Sequence, residues 1–190
     1  MNLPNQLTVA RLVLTAVFVA CFYLPGENRI SIAALVFGLA SITDYFDGKI
    51  ARDRGIVTNF GKLFDSVADK VLIAGAFIML VDLDLLPAWI AIVVLAREFC
   101  VTGIRLIAAS QGAVLAAEKL GKHKMVWQII TVSWFLVHRA SEETLFSFAK
   151  PLFTLTPTWV PMAIIYFTTL LTLVSGFSYF WKNKHLFNDA

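Results

Sequence analysis

Four aspartates sit at helical spacing inside an otherwise apolar stretch of chain. Asp44 and Asp47 are three positions apart and Asp65 and Asp69 four apart, so each pair shares one face of a helix. The connection between the two segments is short enough for their helices to run antiparallel with both faces opposed. All four carboxylates then converge. Carboxylates so close repel one another and are costly to desolvate, and a divalent cation relieves both problems. A ligand set made only of oxygens suits a hard ion such as Mg2+ or Mn2+. Mg2+ is usually held by a few carboxylates together with substrate phosphates, so the pattern implies a phosphate-bearing substrate. Arg52 lies next to the cluster as a partner for a diphosphate. Gly48 and Gly61 have no side chain and let a ligand approach the backbone. The plainer alternative is a set of interhelical ion pairs with Lys49, Arg52 and Lys62, but four carboxylates on two faces exceed what packing requires.

The rest of the chain indicates where these residues lie. Of its 190 residues, 58% are hydrophobic and 15% charged, and the mean hydropathy is +0.75. Soluble domains run near 45–50% apolar and about 25% charged. A soluble globule of this size could not hide so much apolar surface. An ordinary cytosolic enzyme, a disordered chain and a disulfide scaffold are therefore excluded, leaving an integral membrane protein. The net charge of +3 is modest, and no basic patch is interleaved with aromatics, so no nucleic-acid partner is expected. Cys21 and Cys100 lie in apolar runs and read as small packing residues, and no Cys/His spacing of metal-site type occurs. The opening MNLPNQLTVAR is polar and lacks a cleavage site ahead of a long span, which argues against a cleaved signal peptide.

A helix needs about 20 apolar residues to cross the hydrocarbon core. Six runs qualify, at roughly 7–24, 30–50, 62–81, 86–109, 124–139 and 158–181. They are continuous rather than alternating, so helices are expected over strands. The prolines flank the runs or fall just inside them. Arg11, Lys49, Arg52, Arg54, Lys62, Arg105, Lys119, Lys122, Lys124, Lys182 and Lys184 fall on one side of the bilayer, against Arg29, Arg139 and Lys150 on the other. The positive-inside rule then puts both termini and the aspartates in the cytoplasm. The expected architecture is all-α: a polytopic membrane protein with six transmembrane helices, forming one catalytic domain over residues 1–190.

A second group of charges lies in the fourth run, Arg97-Glu98-Phe-Cys-Val-Thr102-Gly103-Ile-Arg105, and just beyond it, Lys119-Leu-Gly-Lys122-His-Lys124. Charges within a membrane helix are rare and normally functional. Together these form a candidate basic pocket for a second, phosphorylated substrate. The alternatives are a positive-inside loop for the lysines and a simple pair with Glu98 or a neighbouring carboxylate for Arg97.

The segment Asp44 to Asp69 also resembles the signature of the CDP-alcohol phosphatidyltransferase family, D-x2-D-G-x2-A-R-x8-G-x3-D-x3-D. Asp44, Asp47, Gly48, Ala51, Arg52, Gly61, Asp65 and Asp69 match every fixed position and every spacing. The resemblance implies a CDP-linked donor, usually CDP-diacylglycerol, and an alcohol acceptor. It implies that Asp44, Asp47 and Asp65 are metal ligands. Asp69 and Asp65 are implied as catalytic, with Asp69 the general base and sometimes also close to the metal, and one or two divalent ions are implied. The donor contacts it implies are Asp47, Gly48, Ala51, Arg52, Gly61 and Asp65, with Asn5 and Thr8 either touching the nucleotide or capping the first helix. The pattern R-E-x3-T-G-x-R followed by K-x-G-K-x-K is similar to the bacterial branch that accepts sn-glycerol 3-phosphate. So are the opening Pro4-Asn5-x-Leu7-Thr8-x2-Arg11 and Ser175-Gly176-x2-Tyr179. Met125 stands where that branch usually has threonine. The likeness implies Arg97, Arg105, Lys119, Lys122 and Lys124 as contacts for the acceptor phosphate, a bacterial inner-membrane location and a homodimer.

Rival readings are a Mg2+-dependent membrane prenyltransferase, a family member with another acceptor (inositol phosphate, serine or phosphatidylglycerol), and a cation transporter. Prenyltransferases are usually longer, with two separated aspartate-rich motifs. A transporter is expected to show inverted repeats or broken helices, and neither occurs. Ser66 has no histidine near it in the sequence, which disfavours a covalent serine mechanism.

Overall fold

The apolar runs fold as helices. A computed structural model describes residues 3–54, 59–113, 115 and 118–187, with side chains for 8–43, 67–113, 115 and 118–186. The helices are α1 (Leu3–Cys21), α2 (Arg29–Arg54), α3 (Asn59–Asp82), α4 (Ala88–Ser110), α5 (Lys119–Ala140), α6 (Lys150–Thr154) and α7 (Trp159–Lys182). Single 3-10 turns occupy Ser147–Ala149 and Lys184–Phe187, and no strand occurs among the described residues. The boundaries follow backbone chemistry. Pro87 is extended (φ −72°, ψ 141°) and precedes α4, and Pro151 opens α6, where a missing N–H costs nothing. Helix α4 closes on Gly112 at φ +75°. Gly112 N–H reaches Ala109 O at 3.1 Å and Ala113 N–H reaches Ala108 O at 2.8 Å, a Schellman closure that needs the left-handed glycine.

Helix α5 starts at Lys119 rather than near 124, and α2 runs on to Arg54 rather than ending near 50. Hydropathy reports only the apolar part of a helix, whereas lysine, arginine and leucine are good helix formers that let the backbone continue past it. The short α6 with its preceding 3-10 turn lies between the fifth and sixth apolar runs.

The chain forms two compact units, one of Met1–Leu85 and Val132–Pro157, the other of Leu86–Thr131 and Thr158–Ala190. In the first unit, α1 packs along both α2 and α3. Phe18 of α1 meets Phe37 of α2 at 5.7 Å between ring centroids. At the end of α1, the Phe22 carbonyl accepts a hydrogen bond from Arg29 at 3.3 Å. These contacts make α1 and α2 antiparallel. Helices α1 and α3 run parallel, with Arg11 beside Asp69 and Gly75 beside Thr15 and Val19. Buried alanines at 33, 40, 68 and 76 let the backbones approach, as small residues do between membrane helices. The N-terminus of α2 is closed by Glu143, whose carboxylate accepts from the Ile30 (3.0 Å) and Ser31 (2.7 Å) amides.

In the second unit, α4 and α7 run parallel. Trp89 stacks on Tyr166 (6.5 Å), Arg97 meets Ser175, Arg105 meets Tyr179, and Gln111 reaches the Leu186 carbonyl (3.4 Å). The first half of α5 lies antiparallel to α7, pairing Gln128 with Thr172 and Thr131 with Thr168. Ile92, Phe99 and Leu106 of α4 and Leu170 and Phe177 of α7 are each more than half exposed. Such a continuous apolar exterior suits lipid rather than water. Of the six expected spans, the last (α7, mean hydropathy 1.8) is long and apolar enough to cross a membrane within the described residues. The described apolar stretches of α1 and α2 are the shorter Thr8–Cys21 and Arg29–Thr43. Helix α4 has the length but carries Arg97, Glu98 and Arg105.

Candidate active site

Asp44, Asp47, Gly48, Ala51 and Arg52 fall in the last turns of α2, and Gly61 and Asp65 in the first turns of α3. Both parts of the signature are therefore helical, as the spacing predicts. The side chains at these positions, and that of Asn5 on α1, lie outside the described residues. Among the described residues no cluster of three or more His, Cys, Asp or Glu side chains occurs.

Asp69 is the signature residue whose surroundings are described. Its carboxylate, with 32% of the side chain exposed, forms an ion pair from Oδ1 to Nη1 of Arg11, whose side chain is wholly buried. Thr8 is also buried and lies one turn before Arg11 on the same helix. In the sequence Arg11 stands out as a cytoplasmic-side charge and as the last residue of the resembling opening pattern, with no carboxylate assigned to it. The available signal was its position inside the first apolar run, where a charge needs a partner; which carboxylate it meets depends on how α1 packs on α3.

Two of the basic residues of the second unit, Arg97 and Lys124, meet at one carboxylate. Arg97 donates from Nε (3.1 Å) and Nη2 (2.8 Å) to the Ser175 hydroxyl oxygen. Its Nη1 lies 3.5 Å from the Glu98 carboxylate. That carboxylate also pairs with the Lys124 ammonium, and Lys124 donates in turn to Gln128 Oε1 at 3.1 Å. Gln128 Nε2 donates to Thr172 Oγ1 (3.4 Å), and the hydroxyls of Thr131 and Thr168 are 2.7 Å apart. A ladder of buried polar side chains thus leads along α5 and α7 to the cations. In a membrane such interhelical bonds contribute about 0.6 kcal/mol each on average, so their main effect here is to fix register.

Arg97 is clamped as well as hydrogen-bonded. A Cβ at Gly176 would meet its Cγ at 3.0 Å, and one at Gly121 would meet its Nη2 at 3.5 Å. Gly176 therefore leaves room on α7 for the stem of Arg97, while at Gly121 a Cβ would make only ordinary contact with the guanidinium. Arg105 is exposed, donates from Nε to the Tyr179 hydroxyl at 3.2 Å and lies over that ring at 5.6 Å. Lys119 and Lys122 lie on α5 and are exposed. The expectation of a basic pocket becomes more differentiated: Lys124 is buried and balanced by Glu98, Arg97 is held by Ser175, and Arg105, Lys119 and Lys122 keep exposed side chains. Glu98, Gln128, Ser175 and Tyr179 were not among the expected site residues. Ser175 and Tyr179 were visible only as part of a resembling pattern.

Similarity to known proteins bears on this arrangement. The family model described as CDP-alcohol phosphatidyltransferase matches residues 1–174. The chain is 44% identical to the CDP-diacylglycerol--glycerol-3-phosphate 3-phosphatidyltransferase of Bacillus subtilis, over 96% of this chain and 95% of that one. It is 36% identical to the protein of the same name from Rickettsia felis, over 98% and 97%. A probable phosphatidylglycerophosphate synthase of Mycobacterium tuberculosis is 41% identical over 72% of this chain and 66% of its own length. Matches of this extent run through the helices that carry the aspartates and through those that hold Arg97 and Lys124, and the chain belongs to the CDP-alcohol phosphatidyltransferase family.

Proposed function

We propose that this chain is a phosphatidylglycerophosphate synthase, transferring the phosphatidyl group of CDP-diacylglycerol to sn-glycerol 3-phosphate and releasing CMP. The observation that carries this reading is the complete set of signature residues, Asp44 through Asp69, at the end of α2 and the start of α3. The acceptor follows from the names of the full-length relatives and is supported by the cations of the second unit. The whole chain then acts as one catalytic domain in a bacterial inner membrane. It has six spans, both termini and the site cytoplasmic, and it forms a homodimer as the family resemblance implies. The exposed apolar faces of α4 and α7 support the membrane setting.

Asp44, Asp47 and Asp65 would hold the divalent ion, Mg2+ or Mn2+, with Asp69 near it. Their donors are carboxylate oxygens throughout, which fits a hard cation and no softer one. Such an ion supplies charge neutralisation at the diphosphate and at the departing CMP. Asp69 accepts the proton of the acceptor hydroxyl as that oxygen attacks the β-phosphorus of the donor, and the bond from this phosphorus to the CMP oxygen breaks. Asn5, Thr8, Gly48, Ala51, Arg52 and Gly61 contact the nucleotide and diphosphate. Arg97, Arg105, Lys119, Lys122 and Lys124 bind the phosphate of the acceptor. The protein works mainly by positioning reactants and by fixed charge, as in phosphoryl transfer generally.

The test is CMP release by purified protein in detergent, with CDP-diacylglycerol and Mg2+ or Mn2+. Glycerol 3-phosphate, inositol phosphate, serine and phosphatidylglycerol are offered separately. Release with glycerol 3-phosphate alone, abolished by chelator, is the expected result. Release with another acceptor would move the specificity, and no release with any acceptor would overturn the reading.

A further inference from the structure

We propose that Arg11 is the positioning residue for Asp69, holding the carboxylate from the neighbouring helix in the orientation that receives the acceptor proton; this rests on the reading of Asp69 as general base. Three observations carry it. The Arg11 side chain is wholly buried in the apolar helix α1, where an arginine is costly and is kept for a purpose. It pairs with Asp69 across 58 positions of sequence, so the contact is made by the packing of α1 on α3 and not by chain proximity. The pair is also asymmetric in exposure, with Arg11 at 0% and Asp69 at 32%. An anchor closed off from solvent on one side and a carboxylate open on the other is the arrangement expected of a held base. A pair serving only to join two helices has no need for the open side.

The local structure makes the anchor stiff. The Arg11 carbonyl accepts the Thr15 hydroxyl at 2.8 Å, and Gly75 of α3 lies against the side chains of Thr15 and Val19 one and two turns on. Ala68 and Leu72, on either side of Asp69 along α3, are buried, so the α3 backbone cannot roll without losing packing. The guanidinium is planar and presents its donors in a fixed fork, which orients a carboxylate more strictly than an ammonium does. A free aspartate would sample several rotamers, and displacing a reacting group by about 1 Å costs on the order of 100-fold in rate.

The experiment measures kcat and both KM values for the wild type, Arg11→Gln and Arg11→Lys in detergent, and Mn2+ binding to each without substrates. For Arg11→Gln, kcat is expected to fall about 100-fold, with both KM values and the Mn2+ affinity within about threefold. Arg11→Lys is expected to fall between the two. A KM for CDP-diacylglycerol that rises while kcat holds would make Arg11 a donor ligand and overturn the proposal. Unchanged kcat in Arg11→Gln, or loss of Mn2+ binding in step with activity, would also overturn it. If Arg11→Gln does not survive purification, Arg11→Lys decides: kcat lowered at least about fivefold at constant KM supports the role, and any other pattern refutes it. A wild-type protein that releases no CMP with any acceptor would instead overturn the transferase reading itself.

Discussion

Glu98→Gln is expected to destabilise the protein through the two cations it leaves behind. The Glu98 carboxylate pairs with Lys124 and lies near Arg97, and the three side chains are 13%, 7% and 10% exposed. Removing one partner of a buried pair costs about 3–5 kcal/mol, because the survivor remains buried without compensation. Two features reduce that figure here: glutamine still offers an oxygen to Lys124, and Arg97 keeps both bonds to Ser175. The expected cost is therefore about 2–3 kcal/mol, at or below the lower end of that range. At about 2–4 °C per kcal/mol for a chain of this size, the melting temperature should fall by about 4–12 °C. Tryptophan fluorescence during heating in detergent reads this directly. The control is Glu142→Gln, which removes the partner of Arg139 in a pair whose side chains are 40% and 58% exposed. Pairs so exposed contribute about 0–1 kcal/mol, so that variant should melt close to the wild type. Adding Lys124→Met to Glu98→Gln should recover part of the loss, since the uncompensated ammonium is then gone. If Glu98→Gln melts with the wild type, or falls no further than Glu142→Gln, the argument that this carboxylate balances the buried cations is wrong.

Other expectations concern the reaction. Asp69→Asn should lower kcat for CMP release by about 100- to 10,000-fold, the usual contribution of a general base, while leaving Mn2+ binding largely intact. Asp44→Asn should weaken Mn2+ binding by at least about tenfold, measured by Mn2+ titration, and shift the metal requirement of the reaction upward. Gly176→Ala places a Cβ 3.0 Å from Arg97 Cγ and should raise the KM for glycerol 3-phosphate with little change in that for CDP-diacylglycerol. Gly38→Ala, where a Cβ meets nothing within 4 Å, should be silent in the same assay.

What the chain's own order of residues determines is what depends on short distances along it. The length and continuity of the apolar runs set the helical fold. The helical placement of the signature from Asp44 to Asp69 is legible for the same reason: helical spacing is a local property. Helix ends were less legible, as the lysine-led start of α5 shows, because backbone hydrogen bonds continue where hydropathy stops. Only the tertiary structure decided which distant residues meet. Arg11 reaches Asp69 over 58 positions, Lys124 reaches Glu98 over 26, and Arg97 reaches Ser175 over 78. Each of these cations had several carboxylates or hydroxyls available in the sequence. The choice among them was made by which helix faces pack together and by glycines such as Gly176 that leave room for a side chain from another helix. Arg11 therefore changes from one charge among several in the expected positive-inside bias into the partner of Asp69, and Lys124 from a basic residue at the edge of an apolar run into a buried, balanced cation.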